Sequence, residues 1–140
     1  MLAKKYLSRI SELNELIEEK MDKLFEYKLR CGILGANGNS ERVQTSKKAD
    51  NIVEIVALIV DTSNEIDMLI DKLTDLKIEV LETLRELNNP RQKSVLEQIY
   101  VYGLSQRAVS LELGLKYQTV GNVHSQGLKE LQKILDIDKK

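Results

Sequence analysis

From Ile52 to Val80 the apolar residues Ile52, Ile55, Ile59, Ile66, Leu69, Leu73, Leu76 and Val80 recur in steps of 3 and 4, with Thr62 the polar member of the series. Such a series falls on one face of a helix with 3.6 residues per turn and on no single face of a strand, whose repeat is 2. It predicts a helix from about Ala49 to Asn88, ~60 Å long at 1.5 Å per residue, with a seam that another helix must cover. A shorter series at Tyr6, Ile10, Leu13, Ile17, Met21 and Leu24 supplies the partner, a helix over Leu2 to Cys31 closed by Gly32. One proline, one phenylalanine and no tryptophan point the same way. The expected fold class is all-α: a long antiparallel, coiled-coil-like helical hairpin over 1–88, then a trihelical unit over 89–140.

The segment joining the two long helices, Gly35 to Lys48, reads GANGNSERVQTSKK. Rich in Gly, Asn and Ser, with Val43 its one apolar side chain of any size, it is expected to be a flexible loop over 35–48. Its glycines are not followed by Lys-Ser or Lys-Thr, so it is no phosphate cradle. The first helix is shorter than the second, and Ile70, Leu81 and Leu84 form a second apolar flank beside the seam. Self-association into a homo-oligomer is the expected use of what the hairpin leaves uncovered.

Asn88-Asn89-Pro90 marks the boundary, with Asn89 as a cap and Pro90 at the first helical position, where its missing N–H costs nothing. The helix that follows, to Tyr102, should bury Val95, Leu96, Ile99 and Tyr100. Next comes LSQRAVSLELGLKYQTVGNVHSQGLKEL, Leu104 to Leu131. Ser105 can cap a short helix whose apolar stripe is Val109 and Leu113, and Gly114 ends it, because the chain must turn there through a positive φ that a Cβ penalises. A second helix should start near Tyr117 and bury Val120, Val123, Gly127, Leu128 and Leu131. Its outer face then carries Gln118, Asn122, Ser125 and Lys129. This is a helix-turn-helix pattern, and amides and hydroxyls on the outer face of the second helix suit base edges and phosphates of a DNA major groove.

Residues 90 to 135 resemble the region-4 DNA-binding domain of primary sigma factors. The shared pattern is an aromatic and glycine ending the leading helix, then S-x-x-x-[IV]-A-x-x-L-G-[IL], then T-V; here these read Tyr102-Gly103, Ser105 to Leu115, and Thr119-Val120. Two positions depart from it: Ser110 stands where the family prefers alanine, and Lys116 replaces the usual serine before the recognition helix. In architecture the chain is similar to sigma-like regulators of phages and prophages, including the ArpU and RinA late-gene activator types. The resemblance implies a sequence-specific transcriptional regulator reading the major groove with helix 117–133, with double-stranded DNA as one partner and RNA polymerase as another. The residues expected to meet DNA are Arg107, Lys116, Tyr117, Gln118, Thr119, Asn122, Ser125 and Lys129. The alternative is the DNA-recognition subunit of a phage packaging machine of the small-terminase kind, which also joins such a motif to helical oligomerisation.

Charge distribution agrees with this division. The chain as a whole carries a net −1, but residues 1–89 hold 13 Lys/Arg against 17 Asp/Glu, a net −4, and residues 90–140 hold 8 against 5, a net +3. The motif lies in the positive part. With a single cysteine, Cys31, no internal disulfide can form, and a bacterial cytoplasm is the expected compartment. No apolar run approaches the ~20 residues of a membrane span. Enzymatic activity and cofactors are not expected: His124 is the only histidine, and Glu12, Glu15, Glu18, Glu19 and Asp22 read as the solvated face of a helix. His124 itself is expected to pack at the boundary beside Val123, with a phosphate contact as the alternative.

Overall fold

A computed structural model describes residues 2–32 and 46–138, the backbone alone over 46–50. Among these residues the chain is all-helical: α1 (Ala3–Arg30), α2 (Ser46–Leu84), α3 (Pro90–Leu96), α4 (Gln106–Leu113) and α5 (Tyr117–Asp138), with α3 running on into a wider π-helical turn, Glu97–Val101. Residues 35–45 of the expected loop lie outside the described residues, whereas 46–48 already belong to α2. Gly32, at φ +74°, ends α1 as the sequence predicts.

The chain divides into two compact units. The first, called here the core unit, combines Met1–Leu13 with Leu73–Lys140. Its main core gathers Tyr6, Leu7 and Ile10 of α1, Val80 and Leu84 of α2, and Leu96 and Leu131 of α3 and α5. Residues on both sides of Asn88-Asn89-Pro90 therefore bury one another. The opening turns of α1 are tied in by polar contacts as well: the Ala3 N–H donates to Gln132 Oε1 at 2.7 Å, Tyr6 OH and Thr83 Oγ1 share a hydrogen bond at 2.8 Å, and Arg9 pairs with Glu79 at 2.8 Å. Arg9 also lies over the Tyr6 ring, 4.4 Å from its centroid, while its guanidinium holds the Glu79 carboxyl below the usual range.

Leu7 is fully buried although it stands outside the apolar series of α1. The series describes a stripe wide enough for one partner helix, and in these first turns α1 also meets α3 and α5, so a wider arc is buried. Leu84 is likewise fully buried, so that part of the α2 flank is covered within the chain. Gly127 explains how α5 comes so close to α3: a Cβ there would sit 3.2 Å from Leu96 Cδ1.

The second unit spans Asn14–Lys72 and contains the rest of α1 and α2. Among the described residues its buried side chains are Ile17, Thr62 and Ile66, so the middle of the α2 seam, including its polar member, is covered, whereas Ile52 at its start is 44% exposed. Lys20 and Glu65 pair at 2.7 Å.

Candidate nucleic-acid interface

Local chemistry sets the frame of the site. Asn89 accepts at its side chain from the N–H groups of Arg91 and Gln92, opening α3 with Pro90 in its first turn. The π-helical turn after it returns the Tyr102 N–H to the Glu97 carbonyl at 3.1 Å. Within that turn Val101 is buried, and Tyr100 is placed to hydrogen-bond His124 Nε2 at 2.7 Å, the two rings stacked with centroids 5.6 Å apart. His124 is thus a packing residue. Burial, and then the Lys4 ammonium, hold its imidazole below the ordinary value. The π turn was not legible in the sequence, because an extra residue in one turn leaves no compositional trace.

Helix α4 starts where Ser105 Oγ accepts from the Ala108 N–H at 3.1 Å, and it ends at Gly114, whose φ of +67° lies in the left-handed region. Two residues of α4, Ser110 and Gln106, then hold the turn into α5. The Ser110 carbonyl accepts from the N–H groups of Gly114 and Leu115, and its hydroxyl donates to the Leu115 carbonyl at 2.6 Å. Gln106 Nε2 donates to the Tyr117 carbonyl at 3.1 Å. The side-chain oxygen that departs from the sigma pattern at 110 is therefore used, since alanine could not make this contact. Lys116 lacks any side-chain acceptor and so cannot cap α5. Its carbonyl takes the Val120 N–H at 3.0 Å instead.

Beneath the turn a second small core forms from Val95, Val109 and Val120, with Ile99, Leu104, Leu113, Leu115 and Val123 packed against it. Val120, Gly127 and Leu131 are buried on α5, as their spacing predicts, while Val123 and Leu128 are half-buried. The opposite arc of α5 consequently faces outward.

Gln118, Asn122, Ser125 and Lys129, in steps of 4, 3 and 4, are all exposed along that arc. Tyr117 is 54% exposed at the start of the helix, and Lys116 precedes it, also exposed. Thr119 stands to the side and is half-buried, and Arg107 is exposed on α4. Among the described residues, no carboxylate pairs with Arg107, Lys116 or Lys129. Gln126, exposed four residues after Asn122, extends the amide row beyond the four residues at the centre of the face. Gln106 carries no signal in the sequence, because its value lies in reaching a carbonyl eleven residues on. No group of His, Cys, Asp and Glu among the described residues could hold a metal ion. None of the described helices is long and apolar enough to cross a membrane.

Comparison with known proteins adds one partial likeness. A stretch of 50 residues is 36% identical to RNA polymerase sigma factor SigO of Bacillus subtilis (strain 168), covering 36% of this chain and 28% of that protein. The chain therefore matches little more than a quarter of that relative's length. No family model and no solved structure matches the chain.

Proposed function

We propose that the protein is a sequence-specific DNA-binding transcriptional regulator in which α4 and α5 act as a helix-turn-helix. The observation that carries this reading is the outer arc of α5. Four exposed polar side chains, Gln118, Asn122, Ser125 and Lys129, lie in one row on a helix whose entry is fixed by the Ser110 and Gln106 contacts. A row of amides on a rigid helix can match donors and acceptors on base edges, and Arg107, Lys116 and Lys129 offer charge to phosphates. The partial likeness to a sigma factor accords with this reading and suggests RNA polymerase as a second partner. In this proposal residues 89–140 carry the DNA contacts, the long helices form an antiparallel hairpin, and the protein is a cytoplasmic binding protein with no catalytic role. If, as the sequence resemblance implies, the regulator is of the phage and prophage late-gene type, the promoters of such elements are the first DNA to try.

The test uses the full chain and a duplex enriched by selection from a random pool, compared with a scrambled duplex at two salt concentrations. Gln118→Ala and Asn122→Ala should each cost ~1 to 3 kcal/mol on the selected duplex and relax preference at one position. Arg107→Ala and Lys129→Ala should weaken both duplexes alike and lower the salt slope by about one each. Undiminished discrimination in both amide variants would remove the reading.

A further inference from the structure

In the unit spanning Asn14–Lys72, large apolar side chains remain in the open: Phe25 is 56% exposed, Val53 68% and Val60 52%, with Met21, Leu29 and Val56 each close to half. We infer that this face binds a second copy of the same chain, with the long helices of the two copies running in opposite directions.

The six residues share one side of the unit. Successive residues of a helix turn by ~100°, so Lys20 and Met21, three and four residues after buried Ile17, fall on opposite sides of the line that Ile17 makes with its partner helix. Phe25 and Leu29 continue the Met21 row. On α2, Glu65 lies on the Lys20 side, to which it is bonded at 2.7 Å, and Leu16, Met68 and Leu69 line a shallow cleft with that pair. Val53, Val56 and Val60 rotate to the other side of Ile66. The Met21 row and the valine row therefore form one continuous apolar face, away from the ion pair.

Its size fits a copy of itself. Six side chains about half exposed offer on the order of 500 Å² per copy, so a self-pairing would cover ~1,000 Å² of apolar surface and, with its polar rim, reach the size of a stable interface. Charge decides the direction. Among the described residues the carboxylates that edge this face, Glu18, Asp22, Asp67 and Asp71, all exposed, lie toward one end. Parallel copies would stack these carboxylates on one another, at a cost that grows as the interface excludes water. With the copies reversed about a two-fold axis through the apolar patch, the acidic ends separate and the patch meets itself. This inference does not depend on the DNA-reading proposal.

Sedimentation equilibrium of the full chain should give a dimer at micromolar concentration, and a monomer at tens of micromolar would overturn the inference. Phe25→Glu and Val53→Glu, both at exposed positions, should keep the far-ultraviolet helix signal and weaken dimerisation by ~100-fold or more, because each would bring a carboxylate into an apolar contact. An unchanged dimer in these variants would place the contact elsewhere. For direction, single cysteines in a Cys31→Ser background separate the arrangements: Val56→Cys should cross-link to itself readily and Asp67→Cys should not. Ready self-cross-linking of Asp67→Cys would overturn the antiparallel arrangement, because only parallel copies bring that position beside itself.

Discussion

The two compact units draw on the same two long helices, yet they bury apolar residues to different depths. All nine of the largest fully buried side chains, from Leu7 to Leu131, belong to the core unit. Among the described residues of the Asn14–Lys72 unit burial goes no deeper than Ile66, 5% exposed, while eleven large apolar residues stay open, Leu16 to Leu29 on α1 and Ile52 to Ile70 on α2. Composition does not account for the contrast, because both stretches are apolar at helical spacing. The number of neighbours does. Two helices alone can cover one stripe of each other, whereas the core unit brings α3 and α5 against α1 and α2, so side chains on several arcs find partners at once.

The largest effect expected from this contrast comes from truncating a fully buried side chain. Leu7→Ala and Leu131→Ala should each lose about 2 to 5 kcal/mol in urea unfolding, the range for removing a buried leucine, while Val53→Ala should stay within ~0.5 kcal/mol in dilute protein. Leu7 is the sharper of the two, since it tests whether the opening turns of α1 belong to a core built mainly from the far end of the chain. A loss at Leu7 no greater than at Val53 would break the comparison. For the same reason a fragment beginning at Asn89 should lack a cooperative transition, because Leu96, Leu131 and Leu135 would lose the covering of α1 and α2.

Smaller effects are expected in the turn between α4 and α5. Gly114→Ala puts a Cβ on a left-handed residue and should cost ~1 kcal/mol or somewhat more. Ser110→Ala removes the hydroxyl contact to Leu115 and should cost about 0.5 to 1.5 kcal/mol. If Ser110→Ala instead stabilised the protein, the fit of this chain to the sigma pattern would be closer than its own turn suggests.

What could be read from the sequence was the chemistry that acts over a few residues. Ser105, Gly114 and the Asn89-Pro90 pair do what their side chains dictate locally, and α5 begins at Tyr117 as the spacing of its buried face requires. Contacts that depend on which elements meet were not readable. Leu7, Leu84, the Gln106 bond to Tyr117 and the pairing of Ala3 with Gln132 all need the tertiary arrangement, and a periodic pattern gives the width of a stripe without naming its partner. The outer arc of α5 was largely legible because it is the complement of the buried one; Gln126 was lost at its margin.

The smallest effect concerns His124 and acts on the core unit alone. Burial is the main reason its imidazole sits below the ordinary value, and Lys4 adds to it. In the unfolded chain the ring regains a value near 6.5, so between the two values the unfolded state binds more protons than the folded one. Stability from a neutral His124 is thus fully present above about pH 6.5 and is lost as pH falls through the lower, folded value. Protonation would also leave Nε2 unable to accept from the Tyr100 hydroxyl, so that the hydrogen bond at 2.7 Å could persist only with the tyrosine oxygen as acceptor. Thermal melts between about pH 7 and 5.5, above the range where carboxylates dominate, should show Tm declining by no more than a few °C in the wild-type chain. His124→Gln should flatten that slope, and an equal slope in the variant would assign the decline to other groups.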